Sequence, residues 1–241
     1  DKLRISRMAR MSSKATIPLT AARDNAVRIE WDGYSPPRPG KLGVEVFDDY
    51  PIRELVDYID WGPLLKAWGM KGRFPGNLDD PTTGDIARKL YEDAQALVDR
   101  IASEKLLTAK GTFGLFPANT LGSDDIEIYA DADRKSVLAV AHHLRQQIAK
   151  PKGRPNWCLA DFVAPNSTGI RYYVGAFAVT AGIGIEELCA EFEADMDDYM
   201  SALSKALADR LADAFAERLH ERIRTEYWGF AAEVKFTNEE L

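Results

Sequence analysis

The chain has 241 residues, 46% of them hydrophobic and 29% charged, a globular balance with length for one large domain or two small ones. No run of about 18 apolar residues occurs, so no membrane-spanning helix is expected, and the start lacks the apolar stretch of a signal peptide. A net charge of -7 argues against a general nucleic-acid binder. With two cysteines and three histidines, neither a disulfide framework nor a structural zinc site is supplied, which reads as a reducing, cytoplasmic setting without a metal.

The first segment is basic. Lys2, Arg4, Arg7, Arg10 and Lys14, with no acid between them, make an arm of +5 and leave -12 for the remainder. Such an arm reads as a solvated linker, or a helix end reaching toward another domain, in preference to a nucleic-acid contact. Pro18 and Ser35-Pro36-Pro37-Arg38-Pro39-Gly40 fix φ and remove backbone donors, so the first forty residues read as an extended wrap. From Pro51, Leu55, Ile59 and the Tyr58/Trp61 pair recur at helical spacing, and Pro63 opens a second short helix with Leu64, Leu65 and Trp68. Gly72 to Asp80 reads as loop. Thr82 and Asp85 have capping-box spacing before a helix running to about Glu104, with Ile86, Leu90, Ala94, Leu97, Val98 and Ile101 along one face.

The middle of the chain changes period. Gly111 to Phe116, Asp125 to Tyr129, Trp157 to Val163 and Tyr172 to Thr180 are short, rich in β-formers and bounded by turn residues, so they are predicted strands. Ser136 to Leu144 fits helix or strand; the Ala130 to Asp133 turn before it favours a hairpin partner. Gly182-Ile183-Gly184 looks like a nucleotide loop, but Glu187 stands where the third glycine would be and no further strand follows, so it reads as a strand-to-helix turn. From Glu186 to about Trp228, steps of three or four through Phe192, Met196, Met200, Leu203, Leu207, Leu211, Phe215, Leu219 and Ile223 predict one helix about 60 Å long.

Among chemistry-bearing residues, His142 and His143 are adjacent and point to different faces, and His220 reads as a solvated or paired helix residue. No Ser-His-Asp or Cys-His arrangement is legible, so no catalytic residue is assigned. Two sets of acids stand out. Asp60 sits among aromatics at a helix junction, as a cap onto backbone N–H groups or as an anchor for a ligand ammonium or hydroxyl. Asp209, Asp213 and Glu217 fall at i, i+4 and i+8 opposite the Leu207/Leu211 stripe, a solvated face or an acceptor surface for a cationic partner group.

Tyr58 to Trp61, Gly114 to Asn119, Asp124 to Tyr129, His143 to Gln147, Cys158 to Pro165, Lys205 to Glu217 and Leu219 to Arg222 together resemble, in order, the C-terminal activation domain of cobalamin-dependent methionine synthase. The resemblance runs from about Ala21 to Leu241, with residues 1–20 as a basic linker from a preceding cobalamin-binding domain. It implies an α+β fold: a bent antiparallel sheet flanked by helices, with one long C-terminal helix. The implied function is reactivation, in which the domain binds S-adenosylmethionine and caps the cobalamin domain so that cob(II)alamin, reduced by flavodoxin or another one-electron donor, is remethylated. By the same resemblance Asp60 contacts S-adenosylmethionine, and Asp209 and Asp213 approach the cobalamin domain, although the family usually carries Glu at the second of these. The family's Arg-x-x-x-Gly-Tyr motif would follow Leu241, so the chain is expected to lack that C-terminal segment and not to be catalytically competent alone. A docking module for a cobalamin domain or flavodoxin, without S-adenosylmethionine, is the alternative; a Rossmann-type methyltransferase fails on strand count.

Overall fold

The computed structural model describes residues 15–234, so the basic arm lies outside the described residues. The elements in chain order are α1 (Leu19–Asp24), β1 (Gly43–Tyr50), α2 (Trp61–Ala67), α3 (Gly84–Glu104), β2 (Thr108–Leu121), β3 (Asp125–Tyr129), β4 (Val137–His142), β5 (Tyr172–Ile183), α4 (Ile185–Ala194) and α5 (Asp198–Arg222). The strands form one sheet in the order β1-β2-β3-β4, with β5 also on β2; the β2/β3 and β3/β4 pairs are antiparallel. The fold is α+β, and no helix among the described residues is long and apolar enough to cross a membrane. The described residues divide into two units, one of residues 15–43 and 115–175 and the other of residues 44–114 and 176–234.

In the first unit a small apolar cluster of Ala118, Ile126, Cys158, Ala160 and Val163 is covered by Ile128, Ala141, Tyr172 and Val174. The segment preceding Gly43 is tied to residues 147–156 by backbone bonds, Ile17 N–H to the Gln147 carbonyl and Asn156 N–H to the Asn25 carbonyl, both 2.9 Å. It also holds the short helix α1, which an extended wrap does not contain. The 136–144 segment resolves as strand β4, paired with β3. The predicted strand Trp157 to Val163 is instead a loop with a 3-10 turn, Leu159–Phe162. Its cause is Asp161, whose Oδ2 accepts the Cys158 N–H at 2.9 Å and curls the chain, overriding the β-forming side chains.

A polar centre holds this unit together. Arg145 is 1% exposed and all five of its N–H donors are used: Nε to Asp124 (2.7 Å), Nη1 to Asp161 (2.9 Å) and the Asn156 carbonyl (2.8 Å), and Nη2 to Asp161 (2.7 Å) and the Ser123 carbonyl (2.8 Å). Asp124 and Asp161 are 8% and 5% exposed, and Asp124 also pairs with Arg23 at 2.6 Å. The bonds to Asp161, then the one to Asp124, hold the guanidinium charged against its burial.

In the second unit α5 packs against α4, α2, α3 and the 3-10 helix Ile52–Tyr58. Leu203, Leu207, Leu211, Phe215 and Leu219 are all fully buried, each contributing roughly 1.5–3 kcal/mol. On α3 the predicted stripe from Leu90 to Ile101 is buried, whereas Ile86 is 61% exposed. The predicted capping box is not formed: Thr83 is the N-cap and no side chain among the described residues caps the helix. The turn before it is held by Asp80, which accepts from the N–H and hydroxyl of both Thr82 and Thr83, and these bonds hold its carboxyl far below the ordinary carboxylate range. β1 is not among the strands that the sequence predicts; its Val44 and Val46 are 61% and 59% exposed.

The predicted single helix of residues 186–228 is broken. α4 ends at Ala194, Met196 takes a left-handed φ of 59° and Asp197 caps α5 by accepting the Met200 N–H at 3.0 Å. Apolar spacing continues across the break although Met196 is 90% exposed, so periodicity alone hides it. α5 itself, 25 residues and about 37 Å, is the long C-terminal helix, and it runs into a π turn, Ile223–Tyr227. Gly184, with φ of 99°, makes the predicted strand-to-helix turn; a Cβ there would lie 2.8 Å from the Leu106 carbonyl oxygen.

Candidate ligand groove of the second unit

Asp60 is the N-cap of α2. Its backbone is extended (φ -79°, ψ 107°) and its Oδ1 accepts the Gly62 N–H at 2.9 Å, while Pro63, which has no N–H to satisfy, sits in the first turn. Ile59 and Trp61 on either side are buried, and Trp61 meets the Tyr91 ring edge to face at 5.1 Å. These anchors fix the backbone and leave the Asp60 side chain exposed. Cap and ligand anchor are therefore not exclusive: among the described residues only Oδ1 is engaged, and Oδ2 is available.

Asp60 lines a cavity of about 590 Å³. Gly62, Pro63 and Lys66 of α2 form one side, Gly72, Arg73 and Phe74 of the following loop another, and Glu217 of α5 reaches it as well. The lining thus carries two acids and two bases. Glu217 is half-buried, its Oε2 is closed to solvent, and nothing among the described residues hydrogen-bonds that atom. Burial pushes the Glu217 carboxyl above its ordinary range, and the charges of Asp60 and Asp213 push it further.

Asp209 and Asp213 are exposed, and Asp213 pairs with Arg210 at 2.8 Å. Neither lines the cavity beside Asp60. The three acids of the α5 row therefore do not share one environment. At 100° per residue each step of four advances 40°, so Glu217 stands about 80° round the helix from Asp209, enough to carry it from solvent to the cavity. In the sequence Glu217 is only the third acid of a row, and Lys66 and the Gly72 to Phe74 loop carry no signal beyond the loop itself. One turn further, the Tyr58 hydroxyl bonds Glu221, and Arg218 donates to Glu221 (3.0 Å) and to Tyr58 (3.1 Å), fixing the 52–58 helix against α5.

The model of one protein family, the vitamin B12-dependent methionine synthase activation domain, matches residues 51–241. A solved structure of similar fold is the MetH reactivation domain bound to AdoHcy, at 48% identity and a TM-score of 0.88; the match covers 93% of this chain and 68% of that one. A family match over most of the chain, joined by a collinear fold, gives one conclusion: this chain belongs to the family of activation domains of vitamin B12-dependent methionine synthase, a methyltransferase.

Proposed function

We propose that this chain binds S-adenosylmethionine in the cavity beside Asp60 and caps a cobalamin-carrying domain for the reductive remethylation of cob(II)alamin. In this reading Asp209 and Asp213 face the cobalamin domain, residues 1–20 are the linker to it, residues 21–241 are the activation domain, and flavodoxin or another one-electron donor supplies the electron in the cytoplasm. The observation that carries the reading is Asp60 itself, an exposed carboxylate held at a helix start with one oxygen uncommitted, on the wall of a cavity of about 590 Å³. A lining of Asp60, Glu217, Lys66 and Arg73 suits a ligand that carries charges of both signs, as the amino-acid group of S-adenosylmethionine does. The ligand supplies the methyl group; this chain's residues bind and orient it. The neighbour with AdoHcy bound supports the ligand class.

Calorimetric titration with S-adenosylmethionine tests the reading, on this chain beside a version extended past Leu241. Binding is expected, tighter in the extended version if the Arg-x-x-x-Gly-Tyr motif contributes. Asp60→Asn keeps an N-cap acceptor, so it is expected to lower affinity without unfolding α2. Absence of binding in both versions refutes the ligand reading and leaves a docking module.

A further inference from the structure

We infer that Glu217 is a ligand-positioning residue which, together with Asp60, receives the ammonium of the ligand's amino-acid group; the inference rests on the S-adenosylmethionine reading above. Asp60 and Glu217 come from different elements, the start of α2 and the middle of α5, and line one cavity. Buried polar atoms in folded proteins nearly always have a partner. Glu217 lines the cavity with a carboxyl whose Oε2 has no partner among the described residues and is turned away from solvent, so rotation of the carboxyl presents an oxygen to the ligand at the cost of no existing Oε2 bond; Asp60 has committed only Oδ1. Two acceptor oxygens from two elements match a primary ammonium, which brings three N–H donors and the charge that offsets both carboxylates. A hydroxyl brings one donor and no charge, so it leaves the carboxylates' repulsion in place.

The charged groups around Glu217 are Asp60 and Lys66 from α2, Arg73 from the loop after it and Asp213 from α5 itself. Arg218, the next residue along the helix, is engaged with Glu221, Tyr58 and Glu54. The acids raise the cost of ionising Glu217, and a bound ammonium lowers it. A bound ammonium therefore favours the ionised Glu217, and affinity for an ammonium-bearing ligand rises with pH through the interval in which that carboxyl ionises.

The test compares S-adenosylmethionine with 5′-methylthioadenosine, which keeps the adenosine and the methylated sulfur, as a neutral thioether in place of the sulfonium, but has no amino-acid group; each ligand is compared only with itself between parent and variant. Both are titrated by calorimetry into the version extended past Leu241 and into its Glu217→Gln variant, from pH 5 to pH 7.5. The variant is expected to bind S-adenosylmethionine about tenfold to a hundredfold more weakly at pH 7.5, the worth of one charged hydrogen bond. It should bind 5′-methylthioadenosine within about twofold of the parent, which also reports an intact cavity. The parent's affinity for S-adenosylmethionine should rise with pH more steeply than the variant's; Asp60, Asp213, Lys66 and Arg73 are common to both, so the difference isolates Glu217. Equal weakening of the two ligands, or the same pH profile in parent and variant, overturns the inference while the site stands. No binding of S-adenosylmethionine by the parent overturns the site reading and the inference with it.

Discussion

Replacing Arg145 by Met keeps the aliphatic stem and deletes the guanidinium, stranding partners that the fold has arranged around it. Five donated hydrogen bonds are lost, three of them to the carboxylates of Asp124 and Asp161. Removing one partner of a buried ion pair costs about 3–5 kcal/mol. Both acids keep a partner, Arg23 for Asp124, through Nε and Nη2 at 2.6 Å, and the Cys158 N–H for Asp161 at 2.9 Å, so a value near 3 kcal/mol is expected. Hydrogen exchange of the backbone amides of residues 115–175 localises the effect to the unit that contains the network. A deficit below about 1 kcal/mol, or one spread evenly over both units, refutes the argument that Arg145 acts by compensating buried charge.

Gly111→Ala is expected to destabilise the second unit by about 1–3 kcal/mol in urea unfolding, since its Cβ would lie 2.7 Å from Cζ of the fully buried Phe215 and 3.3 Å from Val179 Cγ1. Glu217→Gln is expected to raise the urea midpoint at pH 7.5 and to leave it unchanged near pH 4. The sign follows from the raised carboxyl: the folded state holds the proton more tightly than the unfolded state, so the parent loses stability as pH rises through that interval and the variant does not. In a reconstituted enzyme, Asp209→Asn with Asp213→Asn is expected to slow reductive reactivation and to leave methyltransferase turnover nearly intact; unchanged reactivation reduces the pair to a solvated face.

What could be read from sequence was what local periodicity determines. The β3/β4 hairpin, the buried stripe of α3 and the Gly184 turn follow from alternation, helical spacing and one glycine that needs positive φ. What could not be read depends on groups distant in the chain. Trp157 to Val163 has the composition of a strand, yet Asp161 turns it because Arg145 and the Cys158 N–H both call on that carboxylate. Asp124, Arg145 and Asp161 belong to three of the motifs that carry the family resemblance, and in the fold they meet as a buried ion network, so part of that signature records stability and not ligand contact. In the groove, Asp60 was legible because a carboxylate at a helix junction, just before a proline that opens the helix, suits an N-cap, and it is the N-cap of α2. Glu217 was legible only as one of a row, since its separation from Asp209 and Asp213 arises from helical drift and from what α2 places opposite it.

The π turn after α5 bears on which changes in chain length this family can absorb. Along Asp198–Arg222 a single insertion or deletion would swing every later side chain by about 100°, taking residues such as Phe215 and Leu219 off the core. Ile223–Tyr227 is already one residue wider than an α turn, closed by the Trp228 N–H on the Ile223 carbonyl at 2.8 Å, and it delivers Tyr227 onto the Phe113 ring at 4.5 Å. Losing one residue there converts a π turn to an α turn and preserves the phase of all that follows. Length variation among relatives should therefore collect at 223–227 and be absent from the helix before it, a pattern that counts of gaps across an alignment will reveal or deny.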